Sequence, residues 1–485
     1  MRSKQQITGL VITSLMALSN AQAASKPPAN LEQMWAIIQQ QQKEIEALKH
    51  KAEQADAQKQ ELETLKARVQ AAPEKPLRNV GATNTASVQT DEQRKTDILA
   101  SEVEKLKTAL VLPESKDYKS EYGLGPAASG VYKVNKGLSI GGYGEAVYTN
   151  RTSDKGNTSD QADAERLVMY LGYKFSDNII LNNEIEFEHA TTGEGAEEKG
   201  EVSVEFSQLD FLLNPMVNIR AGLMLMPMGF INEIHEPLYY HGNFRPEVER
   251  RIIPSTWREM GAGLFGELLP GLQYRLYAVN GLNADEFASS GWRDGRQSGS
   301  KSKAEDFATV GRVDYSPQFA AGLTVGGSAY MGNSGQNLTI AGQKKDLFTQ
   351  LYEGHLQWQY KGFEFRALGA WGHLDNAGAL SAEKGETIGN ATFGWYTEAA
   401  YDVMPYLMPA SNQYLAPFVR YERFDTIADV PTGFSDDPSQ NKEIYQAGLT
   451  FKPIRNIAIK TDYRNISARQ GKPADEFNLG VGFIF

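Results

Sequence analysis

Cysteine is absent from all 485 residues. That removes disulfides, thiolate metal ligands and thiol nucleophiles together. No apolar run approaches the ~20 residues that a membrane-crossing helix needs. There is no basic block either: the net charge is -11, spread along the chain, which disfavours nucleic acid as a partner. Histidine is scarce. The six (His50, His189, His235, His241, His355 and His373) stand beside no convincing serine nucleophile, so an enzymatic reading has little support.

What is present is alternation. In the last run, Phe477, Leu479, Val481, Phe483 and Phe485 share one face, with Asn478, Gly480, Gly482 and Ile484 between them. An apolar face backed by small or polar residues is the pattern of a strand in an outer-membrane barrel. A sheet in lipid must satisfy every backbone group, so it must close on itself. Mean hydropathy is only -0.44, because every second strand residue alone faces lipid. The amino end agrees with export. Arg2 and Lys4 precede the apolar stretch Ile7 to Leu18, and Ala21-Gln22-Ala23 reads as a cleavage site, so residues 1–23 are expected to be a signal peptide.

Residues 24–70 are expected to carry a periplasmic coiled coil. A heptad fits from residue 31 to 70, with Leu31, Ile38, Ile45, Ala52, Lys59 and Lys66 at a, and Met34, Gln41, Leu48, Ala55, Leu62 and Val69 at d. Alone such a helix is marginal, so oligomerisation is expected. Residues 71–90 form a linker. Residues 91–136 hold a short second helix, with Leu99, Val103, Leu106 and Leu110 on one stripe, and a Gly- and Pro-containing lead-in.

From residue 137 to 485 sixteen strand-length runs recur: 137–149, 164–175, 178–188, 202–213, 217–226, 257–268, 271–281, 305–315, 318–331, 346–360, 363–374, 391–402, 413–425, 443–452, 456–467 and 475–485. Short turns alternate with long loops. The expected fold class is therefore all-β: a 16-stranded antiparallel transmembrane β-barrel preceded by an α-helical coiled-coil segment. A soluble sandwich is disfavoured. Val217, Ile219, Ala221, Leu223 and Leu225 oppose Arg220, and Ile457, Ile459 and Tyr463 oppose Lys460, Asp462 and Arg464. A charged second face needs water, which a sixteen-stranded lumen supplies.

By the same parity Glu184, Glu186, Arg220, Arg275, Arg312, Arg366 and Arg420 face the lumen, along with Asn182, Glu188, Asp314, Glu364 and Glu422. Acid gathers on the 178–188 run and guanidinium on later runs, which suggests a transverse field. A plainer reading is that these charges wet the lumen and pair across neighbouring strands. The longest loop, 227–256, is dense in charge, aromatics and proline. It contains Glu233, Glu236, Arg245, Glu247, Glu249, Arg250 and Arg251, and is read as the constriction.

Met224, Met226 and Met228 alternate as soft copper ligands could, but read better as packing filler. His235 and His241 with Glu233 lack a recognised metal spacing, and no cofactor is expected. The acidic loop Glu194, Glu197, Glu198 and Glu201 could bridge lipopolysaccharide through cations.

The sixteen-run pattern, the segment Asn232–Trp257, and the stretch from Leu268 to Gly281 followed by Gly295-Arg296-Gln297 together resemble the trimeric porins, in particular the phosphate-selective porin O/P-like group. The resemblance covers about residues 137–485. It implies a homotrimer in the bacterial outer membrane, in contact with lipid and lipopolysaccharide, with loop 227–256 folded inward as the eyelet. It also implies a water-filled channel for passive diffusion of small hydrophilic solutes or ions. In the phosphate-selective members Arg and Lys ladders act; here Arg245, Arg250, Arg251 and Arg258 match, interleaved with Glu233, Glu236, Glu247 and Glu249. Such a mixed eyelet implies at most a modest anion preference. The alternative function is a tether, whose residues 31–70 link the barrel to peptidoglycan or a periplasmic partner.

Overall fold

A computed structural model of the chain describes residues 119–152, 159–191 and 200–485. The expected signal peptide, coiled coil, linker and second helix lie outside the described residues, as do Glu194, Glu197 and Glu198.

Alternation has the consequence that lipid chemistry demands of it. The strands are β1 (Gly137–Thr152), β2 (Gln161–Ser176), β3 (Ile179–Glu188), β4 (Val202–Leu212), β5 (Asn218–Leu225), β6 (Arg258–Leu269), β7 (Leu272–Asn280), β8 (Phe307–Tyr315) and β9 (Leu323–Asn333). They continue, past a small hairpin β10 (Thr339–Ile340) and β11 (Gln343–Lys344), with β12 (Phe348–Tyr360), β13 (Phe363–Leu374), β14 (Ala391–Tyr401), β15 (Tyr414–Asp429), β16 (Asn441–Ile454), β17 (Ile457–Ala468) and β18 (Asp475–Ile484). All but the hairpin form one closed antiparallel barrel, in which each strand pairs with its sequence neighbours and β1 pairs with β18. The seam runs from Tyr143 opposite Ile484 to Thr152 opposite Asp475. Phe485 extends it, exchanging both backbone bonds with Gly142.

The sixteen expected strands are therefore present, closed and in order. Their outward residues are a belt of exposed apolar side chains, among them Leu138, Leu167, Ile219, Leu264, Leu276, Val419, Leu449 and Leu479. Inward positions carry charge. Several strand ends shift by two to five residues from the sequence expectation, and two differences reshape a connection. β9 begins at Leu323, because Pro317 to Gly322 form a turn in which Gly322 takes φ +77. The long connection after β9 folds into the β10–β11 hairpin and buries Ile340.

Short turns crowd one end of the barrel and long loops the other. Lys361 and Gly362 both take positive φ (+50 and +83), as a two-residue hairpin matched to strand twist requires. At the other end the long loops pack together. Leu282, Ala284, Phe287, Trp292, Leu380 and Ile388 join Met226, Met228, Ile231, Ile252, Ile253 and Trp257 in one buried apolar cluster. Met224 belongs to it as well, so these methionines are packing filler. Each large apolar side chain so buried contributes roughly 1.5–3 kcal/mol.

The lead-in does more than lead in. Residues 119–136, with the helix α1 (Gly130–Lys133), enter the short-turn end of the lumen. Leu124, Ala127, Ala128 and Val131 are buried there against Tyr143, Val168, Tyr170 and Phe206. Tyr132 donates to Asp210 at 2.5 Å, and the Asn182 side chain donates to the carbonyl of Ala128 at 2.9 Å.

If the exposed apolar belt faces lipid, Leu479→Arg destabilises the barrel by about 2–4 kcal/mol when the position sits near the bilayer midplane. Reversible unfolding in lipid vesicles measures this. An equally stable Leu479→Arg protein would contradict the outward assignment.

Candidate channel constriction

Loop 227–256 joins β5 to β6 and turns inward, because its neck and both of its flanks are tied. Asn232 ties the neck: its amide nitrogen donates to the carbonyls of Met226 (2.6 Å) and Trp257 (2.8 Å), and its side-chain oxygen accepts from the Trp257 N–H at 2.5 Å. Next, His235 reaches Glu184 on β3 and Glu205 on β4. Farther along, Tyr240 donates to Glu145 of β1 at 3.0 Å, and His241 meets Thr450 of β16 at 3.0 Å. Asn243 donates twice to Asp462 of β17, from its backbone at 2.8 Å and its side chain at 2.6 Å. The helix α2 (Glu247–Arg251) then lies against β15, where the Val248 N–H donates to Glu422 at 3.2 Å. The loop thus crosses the lumen from the β3–β4 wall to the β15–β17 wall.

The wall charges converge on this loop. Arg420 binds Glu398 and donates to the loop carbonyls of His241 (2.6 Å) and Phe244 (3.3 Å). Arg366 donates to the Tyr239 carbonyl at 2.7 Å and lies 4.4 Å over that ring. Arg275 pairs with Glu233 (3.1 Å) and Asp314 (2.9 Å). Arg312 pairs with Asp314 at 2.7 Å and donates to the Gly229 carbonyl. Arg220 lies apart from the loop, held by Asp210 and the Tyr122 carbonyl of the lead-in. Glu184 meets His235, and Glu186 lies 3.5 Å from Arg166. Pairing across strands therefore describes the buried wall charges better than two separate charged walls.

Several partners escaped the sequence reading. Arg166, Asp210 and Glu398 obey the same parity and were readable. Glu205 was not: a register shift beside Glu184 and Ile185 turns both Glu205 and Phe206 inward. His355 binds Asp314 and Glu353, whereas His373 binds Asp375.

Below the loop a cavity of about 680 Å³ opens toward the short turns. Tyr122 and Gly123 of the lead-in, Glu233, Arg275, Arg312 and His355 line it. The lead-in fits because it carries glycine where it touches the loop. Gly123 takes φ +84, and a side chain at Gly125 would stand 2.3 Å from the Glu236 carboxylate. That carboxylate accepts from the N–H groups of Ala127 (2.8 Å) and Ala128 (3.3 Å).

Above the loop, guanidinium groups cluster. Arg245, Arg250 and Arg251 of the loop neighbour Arg293 and Arg296 of the connection after β7. Burial and the surrounding arginines push Arg293 down to about 8, and burial with Arg258 beside it pushes Arg296 down to about 10. Glu247 stays charged among them: burial opposes its ionisation, but Arg250, Arg464 and Arg251 hold it down to about 2. Two guanidinium nitrogens of Arg245 have no hydrogen-bond partner among the described residues.

Glu249 is the opposite case. It accepts from Tyr396 (2.6 Å) and the Ile231 N–H (2.6 Å), with Glu353 and Arg366 the other charges facing it. Burial pushes its carboxyl up to about 7. Between the ordinary carboxyl value and that one the folded state binds the extra proton. Its contribution is complete at acid pH and is lost as pH rises through 7. Glu249→Gln is expected to flatten a stability decline of up to about 3 kcal/mol between pH 5 and 8, read by denaturant titration. An unchanged decline in the variant would contradict this.

Comparison with known proteins agrees with the fold. No family model matches the chain. Its fold is similar to that of the outer-membrane channel DcaP of Acinetobacter baumannii, with a TM-score of 0.50 at 12% identity over 73% of this chain and 98% of that one. OmpF of Salmonella typhi, in complex with daunomycin, gives 0.49 at 13% identity over 72% and 98%. In sequence, an uncharacterized protein of Aquifex aeolicus (strain VF5) is 36% identical over 397 residues, which is 79% of this chain and 87% of that protein. The chain belongs to the same family as this Aquifex protein.

Proposed function

We propose that the protein is an outer-membrane porin that passes small hydrophilic solutes or ions by passive diffusion, with a preference for anions. One observation carries the reading: a loop fixed to opposite walls divides a charged lumen, and Arg245, Arg250, Arg251, Arg293 and Arg296 cluster on its long-loop side. Positive charge concentrated at the mouth of a low-dielectric passage raises the local concentration of anions. The long loops then face outward, toward lipopolysaccharide, and the short turns face the periplasm. Arg245, Arg250 and Arg251 serve as the anion-attracting part of the eyelet. Glu233, Glu236, Glu247 and Glu249 moderate it, so the selectivity is general rather than phosphate-specific.

A homotrimer in the outer membrane, with residues 31–70 as a periplasmic coiled coil that touches peptidoglycan, completes this reading. The sequence resemblance and the heptad support it. Cross-linking of the full chain tests it; a monomer would exclude it.

Purified protein in a planar bilayer is expected to give stepwise currents and, in a salt gradient, a reversal potential of anionic sign. Arg293→Glu combined with Arg245→Glu is expected to move that potential toward the cationic side. Absence of stepwise currents would sink the porin reading, and an unmoved potential would sink the role of the arginines. Gly125→Val, by displacing the lead-in from Glu236, is expected to raise single-channel conductance. Unchanged conductance would mean that the lead-in does not limit flow.

A further inference from the structure

Where loop 227–256, the third of the long loops in chain order, meets the β3–β4 wall, one nitrogen and two carboxylates converge. His235 Nε2 lies 3.0 Å from Glu184 Oε1 and 3.3 Å from Glu205 Oε2. The three residues are 2%, 0% and 0% exposed. The other ring nitrogen, Nδ1, lies 3.1 Å from the Asn232 carbonyl, which can only accept, so Nδ1 carries the hydrogen. A neutral ring in that tautomer aims the Nε2 lone pair at two carboxylates. Something positive belongs in the triangle.

The remaining contacts narrow what it is. Glu205 Oε1 is engaged by Arg258 (2.7 Å) and Thr256 (2.8 Å), which turns Oε2 toward the ring. Neither Glu205 Oε2 nor Glu184 Oε2 has a hydrogen-bond partner among the described residues, although both are buried. A second ring proton could bond one carboxylate well and would leave these oxygens unmet. Beside His355, by contrast, two guanidinium groups, Arg275 and Arg312, both meet Asp314, whereas here the single pair, Arg258 with Glu205, runs through Oε1.

We propose that His235, Glu184 and Glu205 bind one divalent first-row cation, of the Zn²⁺ class, which staples the third loop to the barrel wall. The three donor atoms lie within 4.8 Å of one another. The nitrogen–oxygen separations approach the roughly 3.4 Å edge of a tetrahedron built from bonds of about 2.1 Å. One imidazole with two carboxylates is a donor set that Zn²⁺ accepts. The Asn232 carbonyl holds the ring as outer partners of ligating histidines do. Asn232 also ties the neck of the loop, and Glu236, next in the chain, holds the lead-in. The cation therefore sits where wall, loop and lead-in meet.

Protein purified without chelator, and protein refolded with Zn²⁺ or Co²⁺, tests it. The expected result is one metal per chain by elemental analysis and, with Co²⁺, visible d–d absorption of a low-symmetry site. His235→Ala and Glu205→Gln are each expected to weaken binding at least ~100-fold, while His373→Ala, on the exposed end of β13, leaves it unchanged. Heat-modified gel migration reports whether each barrel is folded, and Glu184→Gln replaces any variant that is not. Wild-type protein that takes up no stoichiometric Zn²⁺ or Co²⁺ would overturn the proposal. Uptake that survives His235→Ala and Glu205→Gln would overturn it equally.

Discussion

A charge removed from water must find a partner, and in this barrel most of the partners lie on or beside one loop. Arg366, Arg420, Arg312 and Arg275 project from different strands, yet each ends on a carbonyl or carboxylate of residues 229–244. Removing one member of such a pair strands the other, at a cost of about 3–5 kcal/mol. The loop therefore cannot leave the lumen piecemeal. Its apolar side reinforces this, since Ile231, Val248, Ile252 and Trp257 pack with the other long loops into a core. The barrel gives the loop its walls, and the loop gives the wall charges their counterions.

That arrangement makes the two ends of the lumen chemically unlike. On the short-turn side the lead-in seats itself through Tyr132, Ala127 and Ala128, and leaves a cavity with paired charges on its lining. On the long-loop side Arg245, Arg250, Arg251 and Arg296 gather around Arg293, and burial together with their repulsion depresses it. On the function proposed above, a solute entering from that side meets the guanidinium cluster first and paired charges afterwards, and attraction without deep binding permits flux.

How much of this could be read from the chain alone depends on the period of the signal. Strands were legible because lipid on one side and water on the other impose a strict alternation; Leu479 and Asn478, or Ile459 and Lys460, show it directly. The parity named Arg420 and Glu184 as lumen residues without saying what they touch, because cross-lumen partners are far apart in sequence. Glu205 was hidden by a register shift that breaks the alternation. The lead-in was hidden by composition: Gly123, Gly125 and Pro126 look like a linker, yet the glycines are what lets the segment approach Glu233 and Glu236. In the sequence His235 reads beside Glu233 and His241, whereas its carboxylate partners come from β3 and β4.

The account stands on the third loop being fixed across the lumen. Hydrogen–deuterium exchange of the full-length protein in membranes tests this most directly, because the amides of Ile231, Asn243 and Val248 donate to buried carboxylates. The account predicts that peptides spanning residues 229–249 exchange nearly as slowly as the barrel strands, and far more slowly than the exposed loop around Gly433. Exchange of residues 229–249 as fast as that loop would contradict it.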